Sequence, residues 1–580
     1  MGISSSSKIK TWDIFRSTLA VCTFFALVAC SSGDPLKATD TETTALNRTA
    51  PHATTNITGS VLAGHVALQN SDYRAASEYL QLARLTDPAD PELALKALTA
   101  FAQSGQMENI RGIADDILAV YPKNVAASFA RTAIALKAKA YEDALAYAVN
   151  IRSFPAAGIL RPAIQAWASA GLGDMEAMTK HLNELESQPV LTAFAQMHRA
   201  MIGQYLALPT ADRDLELAIS AAGDAMANRL VRFAADTYVR RGDVNAARDI
   251  LSTGLLSAPN NANLANHLNN LDHNYTVVGI PTPSTGVAIA LQEIAAAFSR
   301  ERVSSLSIRL LNWAAYLSPE DYRIHQMLSD LLYELGRYAD SQRSAMRVPE
   351  QAPEYWLTTI NRARATSASG DTDAAVAILR DLDKLTETRT DALRQLGFLL
   401  RLQGRYDESI EAYTRAINRL PQAISAHWAL YYARGVTYQQ SKQWPLAEKD
   451  LLTALELSPD HPSVLNYLGY SWVEQGRRLD EAFAMIEKAV EQRPTDGPIV
   501  DSLGWAHYML GNYEQAVRYL ERAIELQPDD PVINDHLGDA MWRVGREREA
   551  RFQWRRALTF QPDDKMIALI EDKLENGLEG

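Results

Sequence analysis

A period of 34 residues governs this chain. Gly504 and Gly538 stand 34 apart, as do Ala516 and Ala550, Ala523 and Ala557, and Pro528 and Pro562. Four pairs with one period mean one structural unit used repeatedly. The segments themselves align, DSLGWAHYMLGNYEQAVRYLERAIELQPDD against DHLGDAMWRVGREREARFQWRRALTFQPDD. Towards the N-terminus the small site of Gly504 falls on Gly469, Gly435, Gly397, Ala363, Ser329 and Ala295, then on Ala235, Ala200, Ala166, Thr132, Leu98 and Gly64. Each unit reads as two amphipathic helices joined by a turn such as Gly404-Arg405-Tyr406-Asp407 or Gly511-Asn512-Tyr513-Glu514. Glycine ends the first helix and an acidic residue opens the second. One helix pair cannot bury its apolar face by itself, whereas stacked neighbours share a continuous core. The period therefore predicts an all-α chain, a superhelical α-solenoid of about fourteen helix-turn-helix repeats.

The period has one wide break. From Ala235 to Ala295 is 60 residues, and the segment between them is rich in Asn, Pro and Gly. This predicts two arrays, 60–259 and 287–563, joined by a linker over 260–286. A spacing of 38 between Gly397 and Gly435 predicts a slightly longer loop before His427. Met566, Ile567, Leu569, Ile570 and Leu574 form a helical stripe. They predict a helix over 564–580 that caps the last repeat, whose open face would otherwise meet water.

The aligned segments share Leu-Gly, a small Ala, a large apolar residue, a second Ala and a Pro. This pattern resembles the tetratricopeptide repeat (TPR), degenerate in the first array. The resemblance implies that the Gly sits where the two helices of a repeat cross, and that the alanines are small contacts on the second helix. It also implies a concave peptide-binding groove, lined by first-helix residues three before and one, four and five after the small site. Carried over, these positions are Arg394, Phe398 and Arg401, then Tyr432, then Asn466 and Tyr470. Asp501, Trp505 and Tyr508 come next, and last Asp535, Asp539, Trp542 and Arg543. Aromatics and Arg concentrate binding energy in interfaces, but a Tyr or Trp in a solenoid also packs between helices, and both readings stand. Of the Lys and Asn clamp with which some members hold a terminal carboxylate, only Asn466 is matched. Asp501 and Asp535 would repel that charge, so a carboxylate-capturing co-chaperone is not expected.

The N-terminus reads as an address. Lys8, Lys10 and Arg16 precede an apolar run from Leu19 to Ala29 that is too short to span a bilayer and has the length of a signal-peptide core. Leu27-Val28-Ala29-Cys30 resembles the bacterial lipobox, which implies a signal peptide over 1–29 and acylation of Cys30, for example with palmitate, to anchor the mature chain. Ser31 after the cysteine favours the outer membrane, facing the periplasm, by the enterobacterial sorting rule, although the inner membrane stays open. Residues 30–59, rich in Ser, Thr, Asp and Ala, read as a flexible tether.

Charge and motif content narrow the function. With 57 basic against 70 acidic residues the formal charge is -13, which opposes a nucleic-acid partner. Both cysteines, Cys22 and Cys30, lie in the leader region, so neither a disulfide framework nor a metal knuckle is expected. No GxGxxG, GxxxxGK[ST], HExxH or GxSxG occurs, and His461, His507 and His536 lie in different repeats. The expectation is a non-enzyme without cofactor, metal or small-molecule substrate: a membrane-tethered periplasmic scaffold or adaptor for protein or peptide partners. A structural component of an envelope export or outer-membrane assembly machine is the alternative.

Overall fold

The computed structural model describes residues 57–578, apart from 154–155, 224–225, 259–260, 273–274, 276, 278 and 301–303. The segments expected to form a signal peptide and a tether, Cys30 included, lie outside the described residues up to position 56. Among those described, the regular structure is helical, with thirty α-helices. They form fourteen pairs, from Ile57–Gln69 with Tyr73–Thr86 to Pro531–Arg543 with Glu547–Thr559, together with the single helices Ala262–Asn270 and Asp564–Asn576.

The backbone marks the register of thirteen of the fourteen pairs. In thirteen pairs the residue seven after the small site has a positive φ: Ser71, Gly105, Lys139, Gly173, Ala207, Gly242, Gly336, Gly370, Gly404, Lys442, Gly476, Gly511 and Gly545. The fourteenth, position 302, lies outside the described residues. Each ends the first helix of its pair in a left-handed turn, a conformation that favours glycine because it has no Cβ. The next residue often caps the second helix: the side chains of Asp72, Asp174, Asp243 and Asp371 each accept the backbone N–H three residues on.

The small sites are small because the partner helix arrives there. A Cβ added to Gly504 would lie 2.6 Å from Leu520 Cγ, one added to Gly538 2.4 Å from the Trp554 ring, and one added to Gly64 2.9 Å from Leu80. In each case the obstructing residue is sixteen positions on. At Leu98 and Thr132 the sizes are exchanged, since the residues sixteen on are Ala114 and Ala148, both wholly buried. The crossing needs one small partner, and either helix supplies it. Gly504→Leu is therefore expected to destabilise by roughly 1–3 kcal/mol through overpacking. Faster hydrogen exchange between Tyr470 and Trp542, with little change in distant repeats, is the expected reading.

The chain divides into two compact units, Ala50–Gln403 and one holding Gly404–Gly580. The segment 260–286, where the period breaks, lies inside the first unit and carries the helix Ala262–Asn270. After it the hairpin Pro283–Arg300 and Ser304–Leu317 packs against earlier first helices, namely Pro91–Ser104, Val125–Lys137, Ala157–Leu172 and Thr192–Tyr205. Gly286 makes this approach possible, because a Cβ there would lie 2.2 Å from the Trp167 ring. Trp167 is fixed in turn by donating from Nε1 to His198 Nδ1 at 2.9 Å, and burial beside Arg229 keeps His198 neutral, with a pKa lowered to about 3. Phe129 meets Trp313 edge to face at 5.6 Å. Arg229 donates to Asp321 Oδ2 at 3.0 Å and Arg323 to Asp321 Oδ1 at 2.9 Å. Burial works against the Asp321 carboxylate, but these two guanidinium groups hold its pKa well below the usual range. The break in period thus supplies the length for the chain to fold back on its own first array.

Candidate functional site

In the unit Gly404–Gly580 the first helices Trp428–Gln440, Pro462–Glu474, Gly497–Met509 and Pro531–Arg543 carry most of the expected groove residues. Trp505 is the centre of the row. Its indole lies parallel to the Tyr508 ring, with centroids 4.6 Å and planes 7° apart, and to the His536 imidazole at 4.1 Å and 15°. Trp505 Nε1 donates to Glu474 Oε1 at 2.6 Å, and Arg543 Nε donates to the Tyr508 hydroxyl at 3.2 Å.

The stack rests on a buried ion pair. His536 Nδ1 lies 3.0 and 3.1 Å from the two carboxylate oxygens of Asp501. Burial by itself would favour a neutral imidazole, but Asp501, helped by Asp535 and Asp539, raises the pKa to about 9. His536 is therefore an imidazolium at neutral pH, and the face of an indole is a favourable neighbour for a cation. Asp501, expected to line the groove, is 6% exposed and serves beneath it.

Upstream, Tyr432 is also closed off. It is 8% exposed, between Trp428 at 5.9 Å and Tyr467 at 5.8 Å. Tyr467 takes the outer position and donates from its hydroxyl to Gln439 Oε1 at 3.1 Å. Asn466 is half-buried and its Oδ1 has no hydrogen-bond partner. Burial pushes the Tyr470 phenol well above its ordinary pKa, with the carboxylates of Glu474 and Asp501 adding to the effect.

Asp535, Asp539 and Trp542 face the end of the chain instead of an open groove. Lys573, on the helix Asp564–Asn576, places Nζ 2.8 Å from both Asp535 carboxylate oxygens and 2.8 Å from Asp539 Oδ2. Trp554 Nε1 donates to the remaining Asp539 oxygen at 2.9 Å. Gly577 lies so close to Trp542 that a Cβ would come within 2.3 Å of the ring, and the Arg551 guanidinium is 4.5 Å from the ring centre. The helix Asp564–Asn576 thus covers the outer face of the pair Pro531–Arg543 and Glu547–Thr559.

Arg394, Phe398 and Arg401 belong to the unit Ala50–Gln403. Arg394 is exposed, and Phe398 is half-buried with the Arg401 guanidinium 5.6 Å from its ring centre. His507 stacks on Tyr519 at 5.2 Å with Phe483 edge-on at 4.9 Å.

The open row is thus Gln439, Tyr467, Glu474, Trp505, Tyr508 and Arg543. His536 and Tyr467 were not expected from the sequence. Both stand two residues before a small-site glycine, outside the four groove positions, and this shared offset was the signal. Gln439 and Glu474 occupy groove positions but are neither aromatic nor Arg. Lys573 comes 34 residues after Asp539, so the period itself pointed to it.

Family models for the tetratricopeptide repeat match residues 390–423 and 501–530, and, in a second form, 432–497. These segments match the repeat pattern of that family. A TPR repeat-containing protein of Pseudomonas aeruginosa is 28% identical over 197 residues, which are 32% of this chain and 32% of that protein. The protein O-mannosyl-transferase TMTC2 of Homo sapiens is 32% identical over 120 residues, 20% of this chain and 14% of its own. The chain thus spans a third or less of the length of these two relatives. Among solved structures the APC/C hetero-tetramer Cut9–Hcn1 is similar over 90% of this chain and 96% of its own, at 15% identity and a TM-score of 0.38. The matched segments include every residue of the open row from Gln439 to Tyr508.

Proposed function

We propose that this protein is a non-catalytic scaffold or adaptor that recruits protein partners through the row from Gln439 to Arg543. In this reading it is tethered by lipid on Cys30 to the periplasmic side of a bacterial outer membrane. The observation that carries the binding role is the parallel stack of Tyr508, Trp505 and His536. Its members are held by Arg543, Glu474 and Asp501, so a ligand meets rigid aromatic faces and little side-chain entropy is lost on binding. Tetratricopeptide repeats as a class bind proteins and peptides, which supports the reading. The lipobox-like Leu27-Val28-Ala29-Cys30 supports the tether.

A photo-crosslinking residue in place of Tyr508, used in intact cells, should capture a discrete set of proteins. The double variant Trp505→Ala, Tyr508→Ala should keep its fold and lose about 1–2 kcal/mol or more of affinity for them. Cys30→Ser should stay in a longer precursor and take up no labelled palmitate. A double variant that unfolds, or one that keeps all its partners, would assign the row to packing.

A further inference from the structure

Folding the hairpin back on the first array leaves an open cleft of about 620 Å³ inside the unit Ala50–Gln403. One wall is the turn after Pro91–Ser104, and the other is built from Ser304–Leu317, Tyr322–Glu334 and Tyr338–Ala345. In a chain of formal charge -13, this cleft is lined by Arg74, Lys137, Arg337, Arg343 and Arg347 against two carboxylates, Glu108 and Asp340. Charge of the minority sign gathered between low-dielectric walls focuses the field on whatever enters.

The cleft is also built to stay in place. Arg337 donates from Nε at 2.9 Å and from Nη2 at 2.7 Å to Asp340 Oδ2. Its guanidinium lies 4.8 Å from the Tyr73 ring centre, its side chain is 9% exposed, and its Nη1 has no hydrogen-bond partner. Gln103 is fixed by donating to the Ser305 carbonyl at 2.8 Å, while its Oε1 has no partner. Lys137 donates to the Tyr316 carbonyl at 2.6 Å and sits 4.0 Å over that ring. Arg343, paired with the other Asp340 oxygen, and Arg347 stand exposed at the rim.

We infer that this cleft is a second binding site, which takes an acidic, Asp- and Glu-rich segment of a partner protein. Its carboxylates pair with the rim arginines and Lys137, and its main chain meets the polar floor at Gln103 and Arg337. The inference rests on the scaffold reading and gives it a partner chemistry. A nucleic acid fits less well, because its backbone extends beyond a five-cation cleft onto a surface of net negative charge, where binding by counterion release has no footing.

The test uses the full-length chain and two fluorescent decapeptides of alternating Glu and Ser, or Gln and Ser, read by anisotropy. The Glu peptide should bind, should weaken as salt rises, and should bind at least tenfold more tightly than the Gln peptide. Arg343→Glu, Arg347→Glu should reduce that binding at least tenfold with an unchanged melting curve. Arg548→Glu, Arg555→Glu, in the other unit, should leave it intact. Equal binding of the two peptides, indifference to the rim variant, or tighter rim-dependent binding of a single-stranded RNA of equal charge would each overturn the inference. Capture by the crosslinker at position 508 is independent of these peptides, so its persistence in the rim variant separates failure here from failure of the scaffold reading.

Discussion

His536→Ala is expected to destabilise the unit Gly404–Gly580 by about 3–5 kcal/mol, because it leaves the buried Asp501 carboxylate without its counter-ion. The side-chain exposures of the pair are 10% and 8%, so water does little to compensate. Replacing both residues with Leu should cost less than the single change, since an apolar pair strands no charge. The wild type should carry the same linkage in its pH dependence. The folded pKa of about 9 stands above the ordinary value of 6.5, so proton binding favours the folded state. The stabilisation is complete below about pH 6.5 and is lost as pH rises through about 9, and its size is about 3 kcal/mol. Denaturant melts across that range should converge for wild type and His536→Ala at the alkaline end. Curves that stay parallel would show that the imidazolium charge does not stabilise the fold.

Lys573→Met should have an effect of similar size, about 3–5 kcal/mol, with a different signature. It strands two carboxylates side by side, Asp535 at 14% and Asp539 at 8% side-chain exposure. The loss should appear as rapid hydrogen exchange in Pro531–Arg543, Glu547–Thr559 and Asp564–Asn576, with the earlier repeats protected, because a repeat contacts only its neighbours. Acid should partly reverse it. Burial and Asp535 already raise the Asp539 pKa while Lys573 lowers it. Without Lys573 the carboxyl takes up a proton more readily, and a group whose pKa is raised on folding adds stability as pH falls. A deficit that stays constant from neutral pH into acid would show that packing of the helix, and not the charge of Lys573, is what matters.

The repeat spacing placed fourteen small sites, and at the thirteen where the residue seven positions on is described, from Ser71 to Gly545, its left-handed backbone agrees with that register. Even Leu98 and Thr132, poor substitutes for glycine, keep it, because Ala114 and Ala148 supply the missing space. Helix pairing is local: a residue and the one sixteen on are joined by a single turn, so composition along a short segment is enough to specify their meeting.

Within the groove the outcome was mixed for a physical reason. The repeat pattern named first-helix positions, but which of them stay open depends on the next repeat and, at the end of the array, on the terminal helix. Tyr432 is closed by Trp428 and Tyr467, Asp501 is taken by His536, and Asp535, Asp539 and Trp542 are taken by Lys573 and the chain end. The all-helical class, the repeat register and the candidates Trp505, Tyr508 and Arg543 were legible in the sequence, since they arise from spacings within one turn of chain. That the hairpin Pro283–Arg300 and Ser304–Leu317 folds back on the first array, and that a basic cleft opens beside it, depends on long-range packing. Those contacts join residues some 200 positions apart, as Asn312 to Ala102 and Gln103 to Ser305, and they depend on close approach at Gly286, which no short-range pattern records.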